Sequence, residues 1–316
     1  MRRESWQQEL DQLRQEVEHE ILSLSSSKSI PLFYEPINYV NSLPGKKLRP
    51  LLALLFGLNL GGTINDLIHC ASGIELLHNF TLVHDDIMDN DDTRRGHPTI
   101  HSKWDVGTAI LAGDGLIGLA YKKILAGKKN NTISLITMFT NAMLEICEGQ
   151  ALDKMFETKK IVTETQYLEM IGKKTATLIG LSCEMGSLIG GGSRDQVDAA
   201  RNFGYNIGMG FQIQDDLLDV IADENKLGKK VGSDLFMHKK TILSIKLREK
   251  KDNTFGRIPS IDHYKRLLED NGIIAQVTKM IDDYFFSARE RLCVLPQNRY
   301  KDLILHLMEF IKARDK

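Results

Sequence analysis

The stretch HDDIMDNDDTRRGHP, residues 84 to 98, holds five aspartates between Asp85 and Asp92 and then two adjacent arginines, Arg94 and Arg95. On a helix, residues four apart lie about 40° apart around the axis and roughly 6 Å apart along it. Asp85 and Asp89 therefore share a face, while Asp86, about 100° round, points elsewhere. The segment FQIQDDLLDV repeats the pattern: Asp215 and Asp219 share a face, with Gln212 one turn before them. Carboxylates held that close repel one another, so each patch calls for compensating cations. Oxygen donors with no cysteine nearby select a hard ion, Mg2+ before Ca2+.

A lone D-D-x-x-D is more often a solvated acidic helix face than a metal site. Two details favour the metal here. Aspartate is a poor helix-interior residue, which surface helices commonly replace with glutamate. Each cluster also follows an apolar run, NFTLVH or IGMGFQIQ, that reads as buried helix, so each patch looks like the mouth of a cavity. The basic residues are of a matching kind. Arg94 and Arg95 sit in a turn where adjacent side chains diverge towards different anions, and the planar guanidinium fork suits phosphate oxygens. Lys46 and Arg49 stand three apart in PGKKLRP, and His78 lies seven before Asp85, at nearly its azimuth and two turns deeper. A histidine in such a place is more often a satisfied core residue than a ligand. Doublets follow at Lys173–Lys174, Lys229–Lys230 and Lys239–Lys240. Singly such pairs are mostly solvated; together they suggest two phosphate sites, one bridged by metal to the aspartates and one held by basic side chains alone.

The elements that position these residues read as helices. Apolar residues recur at three- and four-residue spacing in WQQELDQLRQEVEHEIL, LITMFTNAMLEICEGQALDKMFE and YKDLILHLMEFIKA, whereas strand-like alternation is hard to find. Breaks fall at SLPGKK, NLGGT, TRRGHP, LAGKKNN, GGGSRD, ENKLGKKVGSD and DNTFGRIPS. Between them lie about ten or more helical segments, an all-α bundle. With 42% hydrophobic residues, 26% charged and no Pro/Ser/Gly-rich linker, the 316 residues read as one globular domain, 1–316. A formal charge of −1 gives no overall field for nucleic acid or an anionic membrane. The longest apolar stretch, PLLALLFGLNLGG, is about half the length a bilayer span requires. The basic-tipped but acidic N-terminal segment lacks the apolar region of a signal peptide. Four scattered cysteines, Cys70, Cys147, Cys183 and Cys293, form no metal motif and read as buried thiols in a reducing compartment. A soluble, cytoplasmic protein is expected, with no stable membrane insertion.

Taken in order, GKKLRP, ELLHNFTLVHDDIMDNDDTRRGHPT, GQALDKMFE, KKTATL and GFQIQDDLLDV…GKKVGSD cover most of the chain from about residue 43 to 241, and together they resemble the trans-isoprenyl diphosphate synthases, the head-to-tail polyprenyl synthetases. The resemblance implies an isoprenoid-synthase helical bundle around a central cavity, a homodimer, and two aspartate motifs facing each other across the cavity mouth. It implies that Asp85, Asp89 and Asp215 bind Mg2+ directly while Asp86, Asp216 and Asp219 act through water or neighbouring groups. By the same match Arg94, Lys174, Gln212, Lys229 and Lys239 hold an allylic diphosphate, with Lys173, Lys230 and Lys240 the less favoured doublet partners. Lys46, Arg49, His78 and Arg95 hold isopentenyl diphosphate. Thr175 and Gln212 turn oxygen dipoles to a carbocation formed when diphosphate leaves, and the departing diphosphate takes the final proton.

Product length is set, by the same resemblance, just upstream of the first motif, where Phe80 lies five and Thr81 four residues before Asp85. A helical wheel sends Thr81 towards the pocket and turns Phe80 about 140° away from Asp85. One aromatic residue there, with bulky Leu77 a turn deeper, suits a medium chain: geranylgeranyl diphosphate, with farnesyl diphosphate next. Two other assignments compete. A class I terpene cyclase shares the fold and the first motif but usually carries an Asn/Ser/Glu triad in place of the second. A non-catalytic regulatory subunit would show degraded aspartate motifs, and both are intact.

Overall fold

The computed structural model describes residues 2–23, 30–127, 131–222, 232, 235, 239–250 and 260–313. Among them are more than ten α-helices and a single pair of two-residue strands, the all-α class read from the periodicity. Packing divides the chain into two compact units: Met1–Met143, Leu181–Arg201 and Val294–Ile304 form one, and Leu144–Gly180, Asn202–Cys293 and Leu305–Lys316 form the other.

In the first unit, α1 (Arg2–Ser23) buries Leu10, Leu13, Val17 and Ile21, the three- and four-residue stripe of its sequence. After α2 (Pro31–Ser42), α3 (Leu48–Asn59) buries every residue from Pro50 to Asn59. The longest apolar stretch is thus a core helix, short for a membrane and apolar on all sides. No helix among the described residues is long and apolar enough to cross a membrane. The central element is α4 (Ile64–Asp89), which packs on α3 and, most extensively, on α6 (Val106–Ala126). Thr63 caps its start by accepting from the backbone N–H of Asp66, and Asn90, in the left-handed conformation, closes its end. Between α4 and the short α5 (Ile100–Lys103), the expected break TRRGHP forms a hairpin, β1 (Thr93–Arg94) against β2 (His97–Pro98).

The second unit takes its share of α7 (Thr132–Thr158), α9 (Thr177–Ile189), α10 (Arg194–Ile221) and α14 (Arg299–Lys312). It adds α8 (Glu164–Ile171), α11 (Ile242–Lys250), α12 (Ile261–Asp270) and α13 (Ile273–Arg291). A capping box between Thr163 and Gln166 starts α8. Between α8 and α9 the helix widens into a π turn, Gly172–Ala176. Only two of the four cysteines meet the expectation of burial: Cys70 and Cys183 are buried, whereas Cys147 on α7 and Cys293 just after α13 are exposed, and all four are free thiols.

Candidate active site

In the first unit, α4 exposes one partial stripe near its end. His78, Thr81, Asp85 and Asp89 are half-buried along it, at the three- and four-residue steps of a helix face, while Leu77, Phe80 and Asp86 are buried on other sides. The face predicted to carry the metal ligands lies within the part of the helix end left open, which also takes in the exposed Met88. Phe80 meets the ring of His84 edge-on at 4.7 Å between centroids, and the Thr81 hydroxyl donates to the His78 carbonyl at 2.7 Å. Asp86 accepts from Nε of Arg94, whose Nη2 also lies 3.7 Å from Asp91. Burial nevertheless pushes the Asp86 carboxyl up to about 6, against the pull of Arg94 and with help from the charges of Asp91 and Asp85. The Asp91 side chain remains 43% exposed beside Arg94; Asp92 is exposed and accepts from the Ser102 hydroxyl at 2.9 Å.

The hairpin separates the two arginines as expected. Arg95 and Gly96 have φ of 55° and 77°, both positive as a two-residue type I′ turn requires, and a non-glycine residue there costs about 1–2 kcal/mol. Arg95 reaches away from the motif and donates through Nη1 to the Pro44 carbonyl at 2.9 Å. It lies over Gly45, where a Cβ would stand 2.5 Å from that nitrogen. The same loop carries Lys46, exposed, and Lys47, turned inward in the left-handed conformation onto Glu75 at 3.1 Å, with both side chains 2% exposed. The doublet is thereby resolved, one lysine for the core and one for the surface. Arg49 Nη1 lies 3.2 Å from His78 Nε2. Burial, followed by the charges of Arg49, Arg95, Lys47 and Arg94, holds His78 well below its ordinary range, so its neutral ring accepts from Arg49. Arg49, His78 and Arg95, together with Lys47, thus belong to one neighbourhood, and Lys46 is exposed on the same loop.

In the second unit, Gln212, Asp215 and Asp219 are half-buried along one face of α10, the same arrangement as on α4, and Asp216 is buried. Two tight approaches clamp the π turn. A Cβ on Gly149 of α7 would stand 2.3 Å from the Lys174 backbone nitrogen, and one on Gly208 of α10 would stand 2.4 Å from the Ala176 Cα. Single π turns inside helices are frequent at functional sites. This one presents Lys174, bonded to Asp153 at 2.7 Å, and Lys173, bonded to Glu148. Thr175 donates to Gln212 Oε1 at 3.0 Å, and Gln212 Nε2 lies 3.3 Å from Asp216 Oδ1. Asp216 Oδ2 accepts from the Tyr167 hydroxyl at 2.6 Å and from the Ile242 backbone N–H at 3.3 Å. Lys239, exposed, and Lys240, half-buried, precede α11; Lys229 and Lys230 lie outside the described residues.

The donors suit a hard cation: the two half-open faces offer carboxylate oxygen and no sulfur. Among the described residues, no three His, Cys, Asp or Glu side chains gather into a metal cage. A small hard ion that keeps waters and is bound by one or two carboxylates plus substrate phosphates needs no such cage.

The sequence profile described as Polyprenyl synthetase matches residues 30–281. The chain belongs to the polyprenyl synthetase family. This synthetase is 38% identical over 291 residues to the geranylgeranyl diphosphate synthase of Methanosarcina mazei, covering 89% of this chain and 90% of that protein. It is 36% identical to the geranylfarnesyl diphosphate synthase of Natronomonas pharaonis, covering 93% and 95%. Its fold superposes on the crystal structure of geranylgeranyl pyrophosphate synthetase from Pyrococcus horikoshii with a TM-score of 0.94 at 35% identity, over 100% of both chains. The expected enzyme class, a trans-prenyltransferase, stands with the family. Neither a terpene cyclase nor a regulatory subunit finds support in these relatives.

Three features beside the candidate residues escaped the sequence. Glu75 left a signal, a lone carboxylate in the apolar run CASGIELLHNF, which calls for a buried partner. Tyr167 left none, because a tyrosine at a buried helix position looks like packing until its hydroxyl partner is known. The π turn left none either, since GKKTA fits an ordinary helix and the backbones packed against it come from distant helices.

Proposed function

We propose that the chain is an Mg2+-dependent prenyltransferase that joins isopentenyl diphosphate head-to-tail to an allylic diphosphate by ionisation, condensation and elimination. The observation that carries this is the pair of half-open aspartate faces, on α4 and α10, each beside its own set of cations. Asp85, Asp89 and Asp215 would hold Mg2+, which when bound neutralises charge building on the leaving diphosphate. Arg94, Lys174, Gln212, Lys229 and Lys239 bind the allylic diphosphate, and the cations among them stabilise it as the C–O bond breaks. Lys46, Arg49, His78 and Arg95 bind isopentenyl diphosphate without metal; the neutral His78 acts by orienting Arg49. Thr175 and Gln212 face the allylic cation with oxygen, and the apolar helix interiors keep water from it. The isopentenyl double bond attacks, and the proton lost passes to the departed diphosphate.

The product is geranylgeranyl diphosphate, set by the buried Phe80 and Leu77 beneath the open stripe of Thr81 and Asp85. The family match running through 30–281, across both packing units, supports one polyprenyl synthetase domain over 1–316. The enzyme works as a cytoplasmic homodimer without nucleic-acid partners. Val106, Ile110, Leu111 and Leu125, exposed along α6, give a second copy an apolar surface to cover. Incubation of the pure protein with isopentenyl diphosphate, Mg2+ and allylic primers of increasing length, followed by product separation, tests the assignment. A ladder ending at geranylgeranyl diphosphate is expected, and absence of turnover with every primer would refute it.

A further inference from the structure

We propose that Tyr167 is a positioning residue for prenyl transfer: through Asp216 and Gln212 it turns the Thr175 hydroxyl so that oxygen lone pairs, rather than the proton, face the reacting allylic carbon. This rests on the transferase reading and adds to it a residue that touches neither metal nor substrate. Tyr167 is 1% exposed, and the direction of each hydrogen bond follows from what its neighbours can do. The backbone N–H of Ile242 can only donate, and it shares Asp216 Oδ2 with the Tyr167 hydroxyl. These two donors hold the Asp216 carboxylate in place, and its other oxygen, Oδ1, can then only accept. An accepting Oδ1 needs the NH2 end of the Gln212 amide, since the opposite orientation would set two oxygens against each other. Gln212 then offers Oε1 to Thr175, which must give its only proton there.

Four residues on two helices and a π turn are thus joined by donors that converge on Asp216, Tyr167 directly and Thr175 through Gln212. Thr175, 9% exposed, is left with lone pairs as the only polar face it can turn to a substrate. Oriented dipoles act strongly on nearby charge where water is excluded, and chains of hydrogen bonds polarise one another. A hydroxyl free to rotate would present its proton to a cation for part of the time and lose that benefit.

The test is a double-mutant cycle on the full-length enzyme, with kcat and KM measured for both substrates. Wild-type turnover, measured first, separates failure of the reaction assignment from failure of this coupling. Thr175→Val should lower kcat by about a hundredfold, as removal of one dipole aimed at developing charge does. Tyr167→Phe should lower it by about tenfold with both KM values unchanged. Tyr167→Phe in the Thr175→Val background should change nothing further, because no hydroxyl remains to orient. Losses that simply multiply, or a Tyr167→Phe enzyme changed only in KM, would overturn the proposal. A second variant covers the case in which Tyr167→Phe is too unstable to assay. Asp216→Asn keeps the contacts but lets an NH2 face Gln212, which reverses the amide and turns the Thr175 proton outward. Its kcat should fall, and the fall should vanish in the Thr175→Val background; persistence there would equally overturn the proposal.

Discussion

In the first aspartate motif the middle carboxylate, Asp86, is buried against the guanidinium of Arg94, whereas in the second the equivalent Asp216 is buried against a phenol, an amide and a backbone N–H. The outer aspartates of both motifs behave alike, half-exposed on an open helix face. One five-residue pattern therefore contains two jobs. The outer pair stays half-open on the helix face, and the middle residue fastens the helix end to its surroundings: the hairpin bearing Arg94 and Arg95 in one case, α8 and the start of α11 in the other. Fastening by a cation brings a competitor with it, since a guanidinium engaged by Asp86 is also the one proposed to hold diphosphate. Neutral donors fasten Asp216 without drawing on the charges that substrate needs.

The largest effect should fall equally on both motifs. Chelation of divalent metal should stop turnover and added Mg2+ restore it, with Asp85→Ala and Asp215→Ala each costing at least about a hundredfold in kcat/KM; a large loss in only one motif would break the symmetry of the outer pairs. The middle residues should then separate the motifs by stability. Arg94→Ala leaves a buried charge without its donor and should cost about 2–3 kcal/mol in urea unfolding, against about 1 kcal/mol for Tyr167→Phe, which removes a single neutral donor. The reverse order would mean that the charge on Arg94 adds nothing to the fold.

The contrast also predicts a pH dependence on the first side. His78 is held neutral by burial and surrounding cations, so its folded pKa lies below the unfolded value of 6.5. Below that value the unfolded chain binds the proton more readily, so this contribution is present above pH 6.5 and is lost as pH falls from there towards the folded pKa. His78→Asn should flatten that slope by up to about 1.4 kcal/mol per pH unit, and an unchanged slope would count against a neutral, accepting ring. The smallest change in rate should accompany a change in product: Phe80→Ala should lengthen the prenyl chain, measured by product separation, and an unaltered spectrum would move the floor away from Phe80.

Much of this organisation was legible because it follows from period and chemistry. The 3.6-residue repeat fixed the helices, and four-residue spacing put Asp85 with Asp89 and Asp215 with Asp219 on shared faces, all four half-buried. Side-by-side arginines in a turn had to diverge, and they do. What stayed hidden depends on contacts between residues distant in sequence. Lys47 finds Glu75 twenty-eight positions on, Tyr167 finds Asp216 forty-nine on, and Gly149 and Gly208 press on a π turn from helices no local pattern connects. The strand pair in TRRGHP escaped for another reason: two residues a side are too few to show alternation, and the turn residues alone carry the signal.

The division of labour inside the motifs is most directly tested by measuring, for Asp85→Ala, Asp86→Ala, Asp215→Ala and Asp216→Ala side by side, the Mg2+ concentration giving half-maximal turnover together with the urea unfolding midpoint. The outer variants should demand more Mg2+ at an unchanged midpoint, and the middle variants should lose midpoint first. Middle variants that raise the Mg2+ requirement as far as the outer ones do, with the midpoint intact, would contradict the account.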